Sequence, residues 1–378
     1  MAIEMLGYRI GLRGQNGIVR WPLLSMRIFM RINNGMTLLS FLLSRRSDSP
    51  VPEAPPKPMP KKVTYADDVL RMAATLYYVD NLGQTEVAHF VQVSQTKISR
   101  LLALARERGI VRISVEQYAA RDESLERQVR AAFDITDVAV IKSPAGADKQ
   151  AVRQLVGHFG APFVASLLPN GGVAALGGGR SVAAVVRRFR RGDLKRLTFV
   201  QAMGSIEANI SQNDAIELGR FVVSLWGGEF LRLNTPAFVP DKRTRDSFLA
   251  SDQIKAVWGR LGRADAALVG VGPLEHSTYL ESGLLRADSF VQLREAGAVG
   301  EICGRFFDAR GRECLSHWRN RVISIELAQL RKIRRVIGVA SGAERAAAIA
   351  GALRGRLLKA LLIDESGARA LLALGGQP

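Results

Sequence analysis

Cysteine, histidine and aromatic residues are scarce in this sequence. Only Cys303 and Cys314 carry thiols. Two are too few for a disulfide framework and suit a reducing compartment, so the chain is expected in the cytoplasm. The four histidines fall at no spacing that completes a zinc site with those cysteines, and no metal or other cofactor is expected. Apolar residues reach 47%, which argues against global disorder. No apolar run has the ~20 residues of a membrane-spanning helix, so no membrane partner is expected.

Positive charge is in excess, 53 Lys and Arg against 35 Asp and Glu, for a net charge of +18. A balance of this kind favours a polyanionic partner, nucleic acid or an anionic membrane surface. Its location matters more than its size. Residues 1–62 hold 10 basic and 3 acidic side chains, residues 63–115 hold 6 and 5, and the remainder 37 and 27. Within the middle stretch, residues 94–112 carry Lys97, Arg100, Arg106, Arg108 and Arg112 against Glu107 alone. The charge there sits on one short element.

The 378 residues leave room for two domains and a tail. Residues 50–62 read Pro50-Val51-Pro52-Glu53-Ala54-Pro55-Pro56-Lys57-Pro58-Met59-Pro60-Lys61-Lys62, which holds neither a helix nor a central strand. Residues 1–62 are therefore expected to be a disordered, basic, Pro-rich leader. An interfacial amphipathic helix over residues 21–43 is the alternative. Met36 and Met59 are each able to begin a shorter product.

Residues 63–115 read as a winged helix-turn-helix. The spacing of Val69, Met72, Ala73, Leu76 and Tyr77 predicts a helix over residues 65–79, ended by Asp80-Asn81-Leu82-Gly83. A short helix over 84–90 follows. Ser94 is a good N-cap for a third helix over 95–108, and Gly109 closes it. Ile98, Leu101, Leu102 and Ala105 form that helix's buried stripe. Gln95, Thr96, Lys97, Ser99 and Arg100 point elsewhere, at the end a recognition helix presents to base edges. Gln and Arg pair with adenine and guanine edges, while Lys, Ser and Thr suit phosphates or single base contacts. Ser94 and Thr85 are counted with them as DNA-facing residues. Residues 110–115 alternate apolar and polar, as a wing strand does.

The strings Leu76-Tyr77-Tyr78-Val79-Asp80-Asn81-Leu82-Gly83-Gln84-Thr85-Glu86-Val87-Ala88, Val93-Ser94-Gln95-Thr96-Lys97-Ile98-Ser99-Arg100-Leu101-Leu102 and Ala105-Arg106-Glu107-Arg108-Gly109-Ile110-Val111 resemble the N-terminal domain of SorC-type sugar-responsive regulators. Gly83 departs from the Thr or Ser that the family more often has there, and glycine is an acceptable N-cap.

From residue 116 to 378 the pattern changes. A linking helix is predicted over 121–133. Strands are predicted over 138–141, 172–176, 197–201, 266–271, 336–340 and 361–363, and helices over 149–168, 180–190, 213–225, 287–296, 343–354 and 366–374. This alternation implies a Rossmann-like α/β domain around a mainly parallel sheet, with ligands at the carboxyl ends of the strands.

Two strand-to-helix junctions carry chemistry. In Leu176-Gly177-Gly178-Gly179-Arg180-Ser181, glycines admit a close backbone approach beside a guanidinium. The run reads either as an anion cradle or as a tight structural turn. It is neither a Walker loop nor a complete dinucleotide fingerprint. In Gly338-Val339-Ala340-Ser341-Gly342-Ala343-Glu344-Arg345, a cation stands in the first turn of the next helix, against the helix dipole. An anionic ligand explains that placement, and so does an ion pair with Glu344 or Asp364. The basic run Arg187-Arg188-Phe189-Arg190-Arg191 reads as the solvated end of a helix.

Residues 172–186, 264–272, 298–308 and 336–374 are similar to the sugar-binding domain of the same SorC family. The resemblance implies a phosphorylated-sugar effector, a double-stranded DNA operator and assembly into homodimers or homotetramers. It also implies that Gly177, Gly178, Gly179, Arg180, Ser181 and Arg345 hold phosphate, and that Glu301 accepts from sugar hydroxyls. The family usually has Lys at position 345; Arg keeps the charge but cannot serve as an amine nucleophile. The expected function is a DNA-binding transcriptional regulator controlled by a sugar or sugar phosphate, not an enzyme. The alternative is a sugar-phosphate-converting enzyme of isomerase or deaminase type with a fused DNA-binding domain. No acid/base pair beside the glycine junctions supports that chemistry, and no catalytic residue is assigned. A purely architectural nucleic-acid-binding protein leaves the large α/β domain without a use.

Overall fold

The computed structural model describes residues 65–375, apart from Gln117, residues 192–195, residues 207–210 and His276, together with the backbone of four short strands ahead of them. Those strands form two antiparallel hairpins, β1 (Ile3–Met5) with β2 (Tyr8–Ile10), and β3 (Ile28–Ile32) with β4 (Gly35–Leu39). The leader expected over residues 1–62 otherwise lies outside the described residues. The chain divides into two compact units, Met1–Ser114 and Val115–Pro378.

In the first unit, α1 (Asp67–Ala74) runs on into a π-helical turn (Thr75–Val79), followed by α2 (Gln84–Val91) and α3 (Gln95–Glu107). The second and third helices are set by the chemistry at their ends. Glu86 accepts a hydrogen bond from the Gly83 N–H at 2.8 Å, and Ser94 Oγ accepts one from the Lys97 N–H at 3.3 Å. Gly109, with φ +71, takes the left-handed position after α3. Ile98, Leu101, Leu102 and Ala105 are buried, as their spacing predicts.

Two expectations need correction here. The buried stripe of α1 is Leu70, Ala73 and Ala74, whereas Met72 is 45% exposed. Both stripes keep the i, i+3, i+4, i+7 register, one residue apart, so periodicity alone could not choose between them; Val69, Leu76 and Tyr77 pack at the edge of the core. Residues 110–115 form no strand. Ile110 and Val111 pack on the helical core, but Ile113 and Val115 are exposed, and among the described residues no neighbouring strand pairs with them, so the alternation has no ladder to join.

The second unit is built on one seven-stranded sheet. Its strands are β5 (Asp137–Ile141), β6 (Val173–Leu176), β7 (Thr198–Gln201), β8 (Glu229–Leu231), β9 (Ala266–Gly270), β13 (Arg335–Val339) and β14 (Ala360–Asp364). They lie in the order β5-β14-β13-β9-β6-β7-β8, and every adjacent pair is parallel. Side chains alternate between two cores. Val138, Val140, Ala175, Ala267, Val269, Leu361 and Ile363 pack on one face. Ala139, Ile141, Ala174, Leu176, Ala266, Leu268 and Leu362 pack on the other. Burial on both faces is why these strands are nearly continuous apolar runs.

Helices cover both faces. On the first face lie α4 (Glu123–Phe133), α9 (Asp252–Leu261), α12 (Leu327–Lys332), α13 (Ala346–Arg354) and α14 (Glu365–Ala373). On the second lie α5 (Lys149–Leu167), α6 (Arg180–Val186) and α7 (Ala215–Trp226). Helix α4 is pinned by Glu126, which is 1% exposed. Its carboxylate accepts from Arg121 at 2.6 and 2.7 Å, from Arg130 at 2.8 Å and from the Val140 N–H at 3.1 Å. A buried carboxylate is tolerable only when its lone pairs are used in this way.

The six strands read from sequence are all present. Absent from that reading were the edge strand β8, helices α8 (Lys242–Ala250), α9, α10 (Thr278–Glu281) and α12, and a small antiparallel sheet of β10 (Gly272–Pro273), β11 (Ala298–Ile302) and β12 (Arg305–Asp308). Helix α11 (Ala287–Glu295) was read close to its place. Cys303 and Gly304 join β11 to β12, both at positive φ, as a two-residue hairpin turn requires. The small sheet rests on a cluster of Met203, Tyr279, Phe306 and Trp318.

Candidate functional site

Chain order reverses between β6 and β9. From β6 the chain proceeds to β7 and β8 on one side, then returns to β9, β13 and β14 on the other. In parallel sheets this switch point leaves a crevice at the carboxyl ends of the strands. A cavity of about 330 Å³ lies there, lined by the ends of β6, β7 and β9, the turn after β13, and the small antiparallel sheet. That volume is near the lower end of small-molecule sites.

The glycine junction forms one wall. Gly179 has φ +110, which a side chain would strain, and its N–H donates to Asn213 O at 2.8 Å. A Cβ on Gly178 would stand 3.0 Å from Asn213 O and 3.1 Å from Ala215 N, so the glycine permits the close approach of α7. Gly178, Gly179, Arg180 and Ser181 line the cavity. Gly177 does not: its N–H donates to Leu268 O at 2.9 Å, continuing the sheet behind the wall. Arg180 reaches across to Glu281, with Nη2 3.3 Å from Oε2, and both side chains are about half exposed.

The second junction enters from β13. Its side chain 12% exposed, Arg345 donates to Ser341 O and to Glu344 Oε1, each at 3.1 Å. Of the two carboxylates considered as its ion partner, Glu344 is therefore the one that pairs. Asp364 instead accepts from the Gly342 N–H at 2.6 Å and caps α14 through the Ser366 and Gly367 N–H groups.

Glu301 projects from β11 toward the same space. Its Oε2 accepts from the Gly304 N–H at 2.8 Å, and Oε1 would lie 2.3 Å from a Cβ on Gly272, a position that must stay glycine for the carboxyl to fit. Glu301 is half-buried and lines the cavity. Burial pushes its carboxyl up to about 7, against the opposing pull of the Gly304 N–H, Arg345 and Tyr279. Tyr279 is buried, and its hydroxyl donates to Met203 Sδ at 3.4 Å; burial and Glu301 hold its phenol well above the usual range. Burial, with Glu301 beside it, pushes the Cys303 thiol up to about 12, so it is no thiolate nucleophile at neutral pH.

Sequence reasoning missed Gln201, Asn213, Tyr279 and Glu281, all of which line the cavity. Gln201 follows the apolar pair Phe199-Val200 at the end of β7, and that polar residue at a strand's carboxyl end was a usable signal. The others come from loops and a short helix with no periodicity to mark them. The resulting cavity is cationic at Arg180 and Arg345, amide- and carboxyl-bearing at Gln201, Asn213 and Glu301, and apolar at Val182, Met203, Ile206 and Val271.

In the first unit, Thr85, Ser94, Gln95, Thr96, Ser99 and Arg100 are exposed. Ser94 also spends an oxygen lone pair on its helix cap. Lys97 is half-buried, its ammonium 5.3 Å from the centre of the Tyr65 ring. Arg108 is not free charge: it donates to Tyr65 O at 3.1 Å and pairs with Asp67 at 2.7 Å, tying α3 back to α1. Arg100, Arg106 and Arg112 remain exposed, with no ion pair among the described residues. In the second unit Arg187, Arg188, Arg190 and Arg191 are exposed, whereas Phe189 is buried and stacks on Trp226 at 4.4 Å.

Residues 118–373 match the family described as "Putative sugar-binding domain". Over 316 residues the chain is 30% identical to the transcriptional regulator YjhU of Escherichia coli K12, covering 82% of this chain and 95% of that one. It is 29% identical to the sorbitol operon regulator of Klebsiella pneumoniae, over 79% of this chain and 96% of the relative. The crystal structure of full-length SorC from Klebsiella pneumoniae superimposes with a TM-score of 0.65 at 27% identity, covering 82% of this chain and all of that one. The YjhU match is longer than the sugar-binding domain alone, so it takes in the helical unit as well. The chain belongs to the SorC family of sugar-binding transcriptional regulators.

Proposed function

We infer that this protein is a DNA-binding transcriptional regulator whose hold on its operator is controlled by a phosphorylated sugar. The observation that carries the reading is the convergence of Arg180, Arg345 and Glu301 on one cavity at the switch point of the parallel sheet. Two guanidiniums and a glycine wall suit a phosphate group. Glu301, Gln201 and Asn213 suit the hydroxyls of a short sugar body, and a cavity of about 330 Å³ has room for little more. Gln95, Thr96, Ser99 and Arg100, exposed at the start of α3, suit the major groove, with Thr85, Ser94 and Lys97 as flanking contacts.

Operator binding by paired recognition helices requires a dimer or a tetramer, with half-sites one or more helical turns apart. The effector acts by binding one arrangement of the protomers better than another. Such a regulator works in the cytoplasm beside its DNA; among the described residues no helix is long and apolar enough to cross a membrane.

The test is a thermal-shift screen of the full chain against phosphorylated sugars and their free counterparts, followed by operator release with the best ligand. A phosphorylated sugar should raise the melting temperature and change operator affinity. Stabilisation by free sugars alone would remove phosphate from the reading. One observation favours a second reading: a carboxyl near pH 7, as Glu301 is, suits a general acid or base of an isomerase-like enzyme. Conversion of the bound sugar phosphate on prolonged incubation would establish it.

A further inference from the structure

A third guanidinium stands with Arg180 and Arg345. Arg153 lies on α5, and two packing contacts fix where that helix runs. At its start, Lys149 Nζ is 3.3 Å from Glu344 Oε1, which brings the first turn of α5 beside the turn carrying Arg345. Further along, Gly157 abuts α6 so closely that a Cβ there would meet Ala184 O at 2.3 Å. Arg153 falls four residues after Lys149 and four before Gly157, on the same face of the helix. Arg180 is likewise four residues before Ala184. The spacing therefore sets Arg153 between the Arg345 turn and the first turn of α6.

Among the described residues no carboxylate pairs with it directly, and the Glu344 charge that acts on it from a distance is the weakest of the influences on it. Glu344 is already shared by Lys149 and Arg345, and Glu281 pairs with Arg180. The Nε of Arg153 is buried and makes no hydrogen bond. Burial lowers the pKa of Arg153, and the nearby Arg180 and Arg345 lower it further, outweighing the opposing pull of Glu344. A buried donor without an acceptor, facing two like charges, is unfavourable. The same arrangement becomes favourable once a doubly charged oxyanion enters, because guanidinium geometry matches phosphate oxygens. Arg153 does not line the cavity, so an anion that reached it would sit between the two turns, apart from the sugar body.

We propose that Arg153 is the third cation of a phosphate-dianion site completed by Arg180 and Arg345, with its Nε–H as the donor held in reserve. This rests on the reading of the cavity as a sugar-phosphate site. It adds that the anionic group carries two charges, so that a phosphate monoester is preferred over a carboxylate or a singly charged diester.

The experiment uses the full chain with inorganic phosphate as the probe, titrated at constant ionic strength against chloride, with the melting temperature as readout. Four proteins are compared: the wild type, Arg153→Met, Arg153→Lys and Arg345→Met. Methionine keeps an apolar stem and removes the charge. Phosphate should stabilise the wild type, and Arg153→Met should weaken its apparent affinity about tenfold, with Arg153→Lys recovering part of the loss. Without phosphate, Arg153→Met should melt at or above the wild-type temperature, since a like-charge repulsion has gone. A merely structural arginine would instead lower that temperature and leave the phosphate dependence intact, which overturns the proposal. Equal phosphate affinity in the wild type and Arg153→Met, alongside a loss in Arg345→Met, overturns the role of Arg153 but keeps the cavity as a phosphate site. A wild type indifferent to phosphate refutes the phosphate reading itself, and the role of Arg153 with it.

Discussion

Replacing Glu301 by Gln should make the protein more stable at alkaline pH and remove one pH dependence. Burial raises this carboxyl from 4.5 to about 7. At about 1.4 kcal/mol per pH unit, the ionised form costs the folded state roughly 3 kcal/mol. The sign follows from proton counts. Below pH 4.5 the group is protonated in both the folded and unfolded chain and costs nothing. Between 4.5 and about 7 the folded chain keeps a proton that the unfolded chain has released, so stability falls as pH rises. Above about 7 the whole penalty is present. Gln is nearly isosteric, accepts from the Gly304 N–H through its own carbonyl oxygen, and carries no charge to penalise. Melting followed by tryptophan fluorescence should show the variant gaining on the wild type by roughly 6–12 °C between pH 5 and pH 8, at 2–4 °C per kcal/mol for a domain of this size. Parallel melting curves for the two proteins across that range would refute the assignment of a buried, raised carboxyl. The same titration means that Glu301 changes charge near neutral pH, so effector affinity in the wild type should vary with pH and in Glu301→Gln should not.

Other perturbations address the remaining parts. Arg100→Ala should cost about 1–3 kcal/mol on the cognate operator and less on random DNA; equal loss on both, by fluorescence anisotropy at fixed salt, would make Arg100 a phosphate contact only. Gly178→Asp places a carboxylate where a Cβ already stands 3.0 Å from Asn213 O; effector response should vanish while operator binding persists, and an unchanged response would remove this junction from the site. Glu281→Gln releases Arg180 from a half-exposed ion pair. Such a pair is worth at most ~1 kcal/mol, so sugar-phosphate affinity should rise by up to about fivefold in a titration. A drop would show that Glu281 helps the ligand instead of competing with it.

Sequence alone determined the parts governed by local rules. Ser94 and Gly109 bracket the third helix because capping is a property of a few neighbouring residues. The apolar runs at 138–141, 172–176 and 266–271 announced buried parallel strands because burial on both faces leaves no room for polar alternation. Both junctions were visible as glycine or small residues followed by arginine. What the sequence left open depended on partners distant along the chain. The alternation at 110–115 looked like a strand, yet a strand needs a neighbour to pair with, and Ile113 and Val115 are left exposed. Arg108 counted toward a basic face until Asp67 was found beside it. Only the tertiary structure decided that Gly178, Arg180, Glu301 and Arg345, spread over more than 160 residues of chain, meet in one cavity. Strand order decides this: inserting β9 between β6 and β13 brings together the ends of strands whose separation in sequence carries no record of their closeness in space.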